Sequence, residues 1–319
     1  MTELLSTKMF VDFLGTGLRL SIPLVYAALG GVLCERSGIF NIALEGIILA
    51  GAFGAALGAF LFNVSVAGLC VGILFGMLTG LILGVLCISL RVNQIVAGIA
   101  INLLMVGLTA FLSRMVFHGL GSTLHLPGFT VLRIPLLSSI PVVGTVLFTQ
   151  DVIVYLMVLL VMVFYLFIYF TKWGLNVRAV GENPAAADTA GIPVTAVRYL
   201  CVISGGALAS LGGCYLVLSQ VFLFSEQMSA GKGFIALAAI ALGRWNPVGV
   251  LLVCLLFGMC DALQLRLQFA NPNVPYQIFV VLPYIASILA LIGVIGRVVP
   301  PGSVGIPYKR GVSREQTII

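Results

Sequence analysis

GIILAGAFGAALGAFLFNVSVAGLCVGILFGMLTGLILGVLCISL, residues 46–90, contains no Asp, Glu, Lys or Arg. A bilayer core asks for about 20 consecutive apolar residues per helix, so the stretch is long enough to cross twice. Its apolarity is continuous, whereas the strands of an outer-membrane barrel would alternate apolar and polar residues. Within it Gly68, Gly72, Gly76, Gly80 and Gly84 recur every four residues, and Gly54 and Gly58 form a second pair. On a helix such residues share one face and let a neighbouring backbone approach closely, which drives packing where no hydrophobic effect operates. Gly205, Ala209 and Gly213 repeat the pattern later in the chain.

The composition extends this reading to the whole chain. Of 319 residues, 61% are hydrophobic and 8% charged, and the mean hydropathy is +1.20. A soluble domain carries about a quarter charged residues. A soluble enzyme, a disordered chain and a disulfide scaffold are therefore excluded. The sequence describes an all-α polytopic integral membrane protein, a compact glycine-rich bundle forming a single transmembrane domain over residues 1–319. Apolar runs predict spans near residues 10–33, 42–62, 65–90, 95–117, 152–171, 199–219, 248–267 and 275–296, with a shorter segment at 234–243. That gives about nine or ten crossings. Asp12 and Arg19 interrupt the first run, which reads either as one span or as an interfacial helix followed by a span.

The net charge is +6, but the basic residues stand singly between apolar runs. Arg36, Arg91, the 172–198 segment, Arg244 and the tail with Lys309, Arg310 and Arg314 fall on one side if every run crosses, which makes that side cytoplasmic. An odd number of crossings puts the N-terminus outside. Nothing in this pattern suggests nucleic acid. The seven cysteines and two histidines form no short-spaced ligand set, so no metal site is expected. The N-terminus lacks a basic region followed by a cleavage site, so the first apolar segment is expected to be retained.

Two hydrophilic segments stand out. Residues 118–151, with Pro127, Pro135 and Pro141, read as an extracytoplasmic loop holding a short helix or re-entrant piece. Residues 171–199, TKWGLNVRAVGENPAAADTAGIPVTAVRY, read as a cytoplasmic loop. In it Asn183 suits an N-cap, Pro184 the first helical position, Ala185, Ala186 and Ala187 the helix body, and Gly191 the C′ position. The spacing predicts a capped helix of about two turns over 184–190. Helices this short are marginal alone, and helix connections usually need only about 2–8 residues. Docking of a partner explains the segment better than a plain connector does.

GENPAAADTAGI, residues 181–192, resembles the cytoplasmic coupling loop of permease subunits of ABC importers in the branched-chain amino acid, simple sugar and nucleoside permease family. YAALGGVLCERSGIFNIALEGIILAGAFGA (26–55) and GKGFIALAAIALGRWNPVGVLLVCLLFGMCDAL (231–263) resemble that family's other signatures, in the same order. The Glu35–Gly46 run and Gly243-Arg244-Trp245-Asn246-Pro247 look most like the nucleoside branch, and the length fits the shorter of two permeases that pair as a heterodimer. The resemblance implies a separate ABC ATPase subunit carrying ATP and Mg, a second related permease (a homodimer being the alternative) and an extracytoplasmic substrate-binding protein. It also implies a bacterial inner-membrane location. Glu182, Asn183, Pro184, Ala185, Ala186, Asp188 and Gly191 would then couple the chain to the ATPase. Nucleosides lead as cargo, with simple sugars, riboflavin and branched-chain amino acids as alternatives. The residues agree on energy: Ser229-Ala230-Gly231-Lys232-Gly233 lacks the upstream glycine and following hydroxyl of a phosphate-binding loop, so no cofactor is expected in this chain.

Polar residues inside apolar runs are functional candidates by default. Asn41 and Glu45, one helical turn apart, are expected to be structural near the cytoplasmic face, with Arg36 as a partner. Asn93, Gln94 and Asn102, and on the outer side Phe222, Glu226 and Gln227, are candidates for lining the path or for holding helices together. Phe222, Phe224, Trp245 and Tyr276 could stack on a substrate ring or anchor at the interface, and anchoring is preferred for Trp245 beside Arg244. An ion-coupled secondary transporter is the rival reading, resting on Asp261 alone. A channel or scaffold would leave the capped helix unexplained.

Overall fold

The computed structural model describes residues 7–117, 125–133, 143–270, 275–281, 285, 288 and 299–309. Its helices are α1 (Thr7–Arg36), α2 (Leu44–Phe62), α3 (Ser65–Gly84), α4 (Gln94–Val116), α5 (Val143–Leu147), α6 (Val152–Phe170), α7 (Lys172–Glu182), α8 (Pro184–Thr189), α9 (Val194–Tyr215), α10 (Lys232–Leu242), α11 (Pro247–Ala270) and α12 (Tyr276–Val280). One turn of π-helix extends α3 over Val85–Ser89, and another extends α9 over Leu216–Val221. The strands β1 (Leu132–Arg133) and β2 (Thr149–Gln150) pair antiparallel in the external loop. Among the described residues seven helices are long and apolar enough to cross a membrane: α1, α2, α4, α6, α11, and α3 and α9 with their extensions. The chain is a multi-pass, all-α membrane protein.

Two points that the sequence left open are narrowed. The first run is one continuous helix. Asp12 and Arg19 do not break it because both are exposed near its outer end, where Arg19 Nε donates to Gln150 Oε1 at 3.2 Å. The segment expected at 234–243 is the 11-residue α10. At 1.5 Å per residue it is about 16 Å long, roughly half the hydrocarbon thickness. Most of the span expected at 275–296, and residues 118–124 and 134–142 of the external loop, lie outside the described residues.

The centre is built on small residues. Gly68, Gly72, Gly76, Gly80 and Gly84 are all buried on one face of α3, while Leu74, Leu78 and Leu81 on the other faces are exposed. A Cβ on Gly76 would overlap Ser210 and the Gly206 carbonyl of α9, and one on Gly72 would overlap Cys214 Sγ. Gly30 of α1 meets the Gly205 carbonyl in the same way. The backbones of α1, α2, α3 and α9 are thus in direct contact, the arrangement that small residues permit in lipid. Around this centre α4, α6 and α11 turn large side chains outward, with Leu103 69%, Met162 65% and Leu252 62% exposed. In a bilayer these faces meet acyl chains.

Arg36, Arg91, Arg178, Arg198 and Arg244 lie at one end. There Arg36 Nε donates to the Trp245 carbonyl at 3.1 Å, Arg198 Nε donates to the Ser37 carbonyl at 3.2 Å, and Arg178 stacks over Tyr169. Residues 299–309 return to the same end. This is the end at which the loop arginines were expected to be cytoplasmic. At the opposite end the external segment 125–129 closes over α9. The N–H groups of Leu126 and Phe129 donate to the Phe222 and Leu218 carbonyls, each at 2.8 Å, and so satisfy acceptors that the helix end leaves open.

Candidate functional site

The cytoplasmic end carries a unit made of α7 and α8. Helix α8 covers Pro184–Thr189, with Asn183 Oδ1 accepting the Ala186 N–H at 3.2 Å and Pro184 in the first turn. At its end Gly191 takes φ +82°, Ile192 N–H reaches the Ala187 carbonyl at 3.0 Å, and Ala190 N–H reaches that of Ala186 at 3.1 Å. This is the αL stop that glycine permits and other residues adopt at a cost. Ala187 is buried against the bundle, whereas Ala185, Ala186, Thr189 and Ala190 face outward. Helix α7, absent from the sequence reading, precedes it. The Thr171 hydroxyl caps it through Gly174 N–H at 3.0 Å, and it buries Gly174, Val177, Val180 and Gly181.

A clasp fixes this unit to the spans. Ser303, 1% exposed, donates its N–H to the Gly181 carbonyl at 2.8 Å, and its hydroxyl reaches the same carbonyl at 2.6 Å. Glu182 Oε2 accepts the Gly302 N–H at 3.1 Å. Arg198, 2% exposed, donates to Ser37, Ile306 and Ser303 at once. Gly181 presses so closely on the Arg36 carbonyl that a Cβ there would overlap it. One guanidinium therefore joins the end of α1, the start of α9 and the 299–309 segment. Neither Arg198 nor Ser303 was singled out by sequence, because their partners lie more than 100 residues away.

Between α1 and α2 the chain climbs back into the bundle. Phe40 N–H donates to Gln94 Oε1 in the first turn of α4, while Ile42 and Gly46 meet Asn102 two turns further on. That ascent is about 12 Å, eight residues at 1.5 Å each. Ala43, at the N-cap of α2, offers no side-chain cap. Asn102 supplies one from α4, Oδ1 accepting the Gly46 N–H at 2.8 Å and Nδ2 donating to the Ile42 carbonyl at 2.9 Å. Asn102→Leu should leave both groups unpaired and cost about 1–3 kcal/mol for each. The expected result is a lowered unfolding midpoint in detergent, with an unchanged midpoint counting against this role.

Glu45 corrects the expectation of an Arg36 partner. Its carboxylate is carried up the same ascent, and its two oxygens accept the N–H groups of Gly231 at 2.8 Å and Gly233 at 2.7 Å. It thereby caps α10, whose N-cap Gly231 has no side chain, while also sitting in the first turn of α2. A carboxylate beside two helix N-termini is favourably placed. The half-length α10 thus begins inside the bundle, fed by residues 222–231, where Phe222, Gln227 and Ala230 all take positive φ. Asn41 is fully buried, its Nδ2 directed at Cys34 Sγ at 3.4 Å.

The remaining candidates separate. Asn93 is exposed and caps α4 through Ile95 N–H at 2.9 Å. Phe222 is half-buried beside His125. Glu226 and Gln227 are exposed on the outer face, where Glu226 forms a two-pronged pair with Arg114 at 2.7 and 2.9 Å. The Arg114 guanidinium holds the Glu226 carboxyl below the usual carboxylate range. Trp245 is a further correction: it is buried, not anchored in the interface, because its indole N–H donates to buried Glu35. Phe224 is buried against Phe53 at 5.7 Å between ring centres. The side chain of Tyr276 lies outside what the structure describes. No group of three or more His, Cys, Asp or Glu able to hold a metal occurs among the described residues.

Comparison with known proteins accords with this architecture. The chain is 38% identical over 306 residues to the guanosine ABC transporter permease protein NupQ of Bacillus subtilis, covering 91% of this chain and 93% of that one. It is 36% identical to the nucleoside ABC transporter permease protein NupC of Lactococcus lactis, over 90% and 93% of the two chains. A second Lactococcus protein, the nucleoside ABC transporter permease protein NupB, is 27% identical over 77% of this chain and 70% of its own. No solved structure matches. Residues 13–298 match the family described as branched-chain amino acid transport system / permease component, and the chain belongs to that family.

Proposed function

We propose that the chain is the membrane-spanning permease subunit of an ATP-driven importer of nucleosides. It forms half of the translocation pathway, and a separate ATPase docks on α8. The observation that carries this reading is the disposition of α8: capped at both ends, turning Ala185, Ala186 and Ala190 outward, and joined directly to α7, whose Gly181 is held by Ser303, itself bonded to Arg198. Force applied to such a helix reaches the ends of α1 and α9 without passing through a flexible loop. The nucleoside assignment is supported by NupQ and NupC, each matched over nearly its whole length.

In this reading ATP and Mg bind the partner ATPase. A second permease completes the pathway, a reading supported by the likeness of this chain to two different nucleoside permeases of Lactococcus lactis, NupC and NupB. An extracytoplasmic binding protein delivers cargo to the outer face, in a bacterial plasma membrane. Phe222, Glu226 and Gln227, at the outer end of the α9–α10 break, are assigned to the mouth of the path. Gln94 and Asn102 shape it from behind by holding the ascending 40–46 segment, and Asn93 does so by fixing the start of α4.

The purified chain alone is expected to show no ATP hydrolysis, and turnover by a contaminant-free preparation would contradict the assignment. The positive test is reconstitution of the permease pair with its ATPase and binding protein. Hydrolysis should rise with nucleoside-loaded binding protein, and stimulation by a sugar in place of nucleosides would overturn the substrate.

A further inference from the structure

A cavity of about 650 Å³ opens at the cytoplasmic end, where the tail of α3, the start of α9 and the 299–309 segment meet. Arg91, Arg198, Asp188, Ser89, Thr195 and Tyr308 supply its polar lining. Two guanidinium groups therefore face one carboxylate. Arg198 directs its donors at neutral acceptors, the Ser37 and Ile306 carbonyls and the Ser303 hydroxyl, so its buried positive charge is not neutralised by those bonds. Arg198 also lies over the Tyr308 ring, 5.9 Å from its centre, and a buried cation held by neutral groups makes the adjoining space attractive to anions. Arg91 is exposed and lines the rim. The first turn of α9 forms another wall, and its N-cap Pro193 offers no side chain to those N–H groups, which adds to the same potential.

We propose that this cavity binds a phosphate group, carried by a soluble phosphomonoester or by an anionic lipid headgroup. Guanidinium groups match phosphate oxygens with paired, charge-assisted hydrogen bonds. The volume exceeds that of a bare ion and admits the group to which the phosphate is attached. Asp188, on α8, stands on the rim and disfavours the anion on that side, which directs it toward Arg198 and Arg91. Because the cavity lies between α8 and the spans, its occupant would brace the helix to which the preceding section assigns the ATPase. The binding site itself does not depend on that assignment.

The test uses the full chain in nanodiscs of phosphatidylcholine and reads the thermal unfolding midpoint. One arm titrates inorganic phosphate and a nucleoside monophosphate against sodium chloride at matched ionic strength. The other replaces part of the lipid with phosphatidylglycerol. A rise in midpoint beyond the salt control is expected in one arm, and the arm that responds identifies the source. Arg91→Asn should weaken the half-saturation about tenfold, the loss of one charged hydrogen-bonding partner. Asn suits the positive φ of 56° that Arg91 adopts, so the fold is kept. Arg244→Asn, at another exposed cytoplasmic position of positive φ outside the cavity, should change nothing. Absence of a response in both arms, or equal effects of the two substitutions, overturns the proposal.

Discussion

Ala186→Arg should abolish co-purification of the ATPase and lower cargo-stimulated hydrolysis on the order of a hundredfold, while the permease still inserts and folds. Ala186 is exposed on α8, and its N–H is already bonded to Asn183 Oδ1, so the substitution leaves the helix cap intact. Arginine is also a good helix former. What changes is the outward surface. A small methyl lets the two backbones approach, whereas a guanidinium overlaps the partner or buries a charge without a counter-ion. A buried unpaired charge costs about 3–5 kcal/mol, at or above the roughly 2.7 kcal/mol that a hundredfold loss represents. Ala186→Ser adds one oxygen and no charge, and should couple nearly normally. If Ala186→Arg retains its ATPase and couples, α8 is only a connector between α7 and α9.

This helix was legible in the sequence because everything that defines it is local. Asn183, Pro184 and Gly191 act within a few residues of themselves, and the hydrogen bonds they make follow from their chemistry alone. The glycine ladder of α3 was legible for a similar reason: a period of four can only mark one face. Helix α7 was not. Gly174 and Gly181 argue against a helix on propensity, and both are required because α7 lies on the Phe167 and Ile168 carbonyls at one end and on that of Arg36 at the other. Tertiary contact overrode the local preference.

The same limit governs the polar residues. Their presence in apolar runs marked Glu45 and Asn102 as significant, but their roles depend on groups 188 and 56 residues away. Glu45 was expected beside Arg36, nine residues before it in sequence. The ascent of residues 37–43 separates the two and delivers Glu45 to the start of α10. Trp245 was misplaced for the opposite reason. Its neighbour Arg244 is exposed, yet a turn of positive φ at both residues sends the indole inward to Glu35. Both helix breaks are thus closed by side chains from elsewhere in the bundle.

The strongest test of the packing at the centre is a pair of identical substitutions. Gly213→Ala should severely destabilise the protein, whereas Gly107→Ala should be neutral or slightly stabilising. A Cβ on Gly213 of α9 would overlap the Ile48 carbonyl oxygen and lie 2.6 Å from the Ala52 nitrogen, both backbone atoms of α2. Backbone cannot turn aside as a flexible side chain can. The two helices must separate, and α2 cannot move freely because its other face meets Gly72 and Gly68 of α3. Overpacking of an ordinary core costs about 1–3 kcal/mol, and a clash between two main chains should fall at or above the top of that range. Gly107 lies on the exposed face of α4 with nothing within 4 Å of its added Cβ. There alanine only restricts the unfolded backbone, a gain of about 0.5–1 kcal/mol. Unfolding midpoints of the two variants in the same detergent should therefore move in opposite directions, or only Gly213→Ala should move. Equal midpoints would mean that α2 and α9 are not in backbone contact, and the close-packed centre would have to be abandoned.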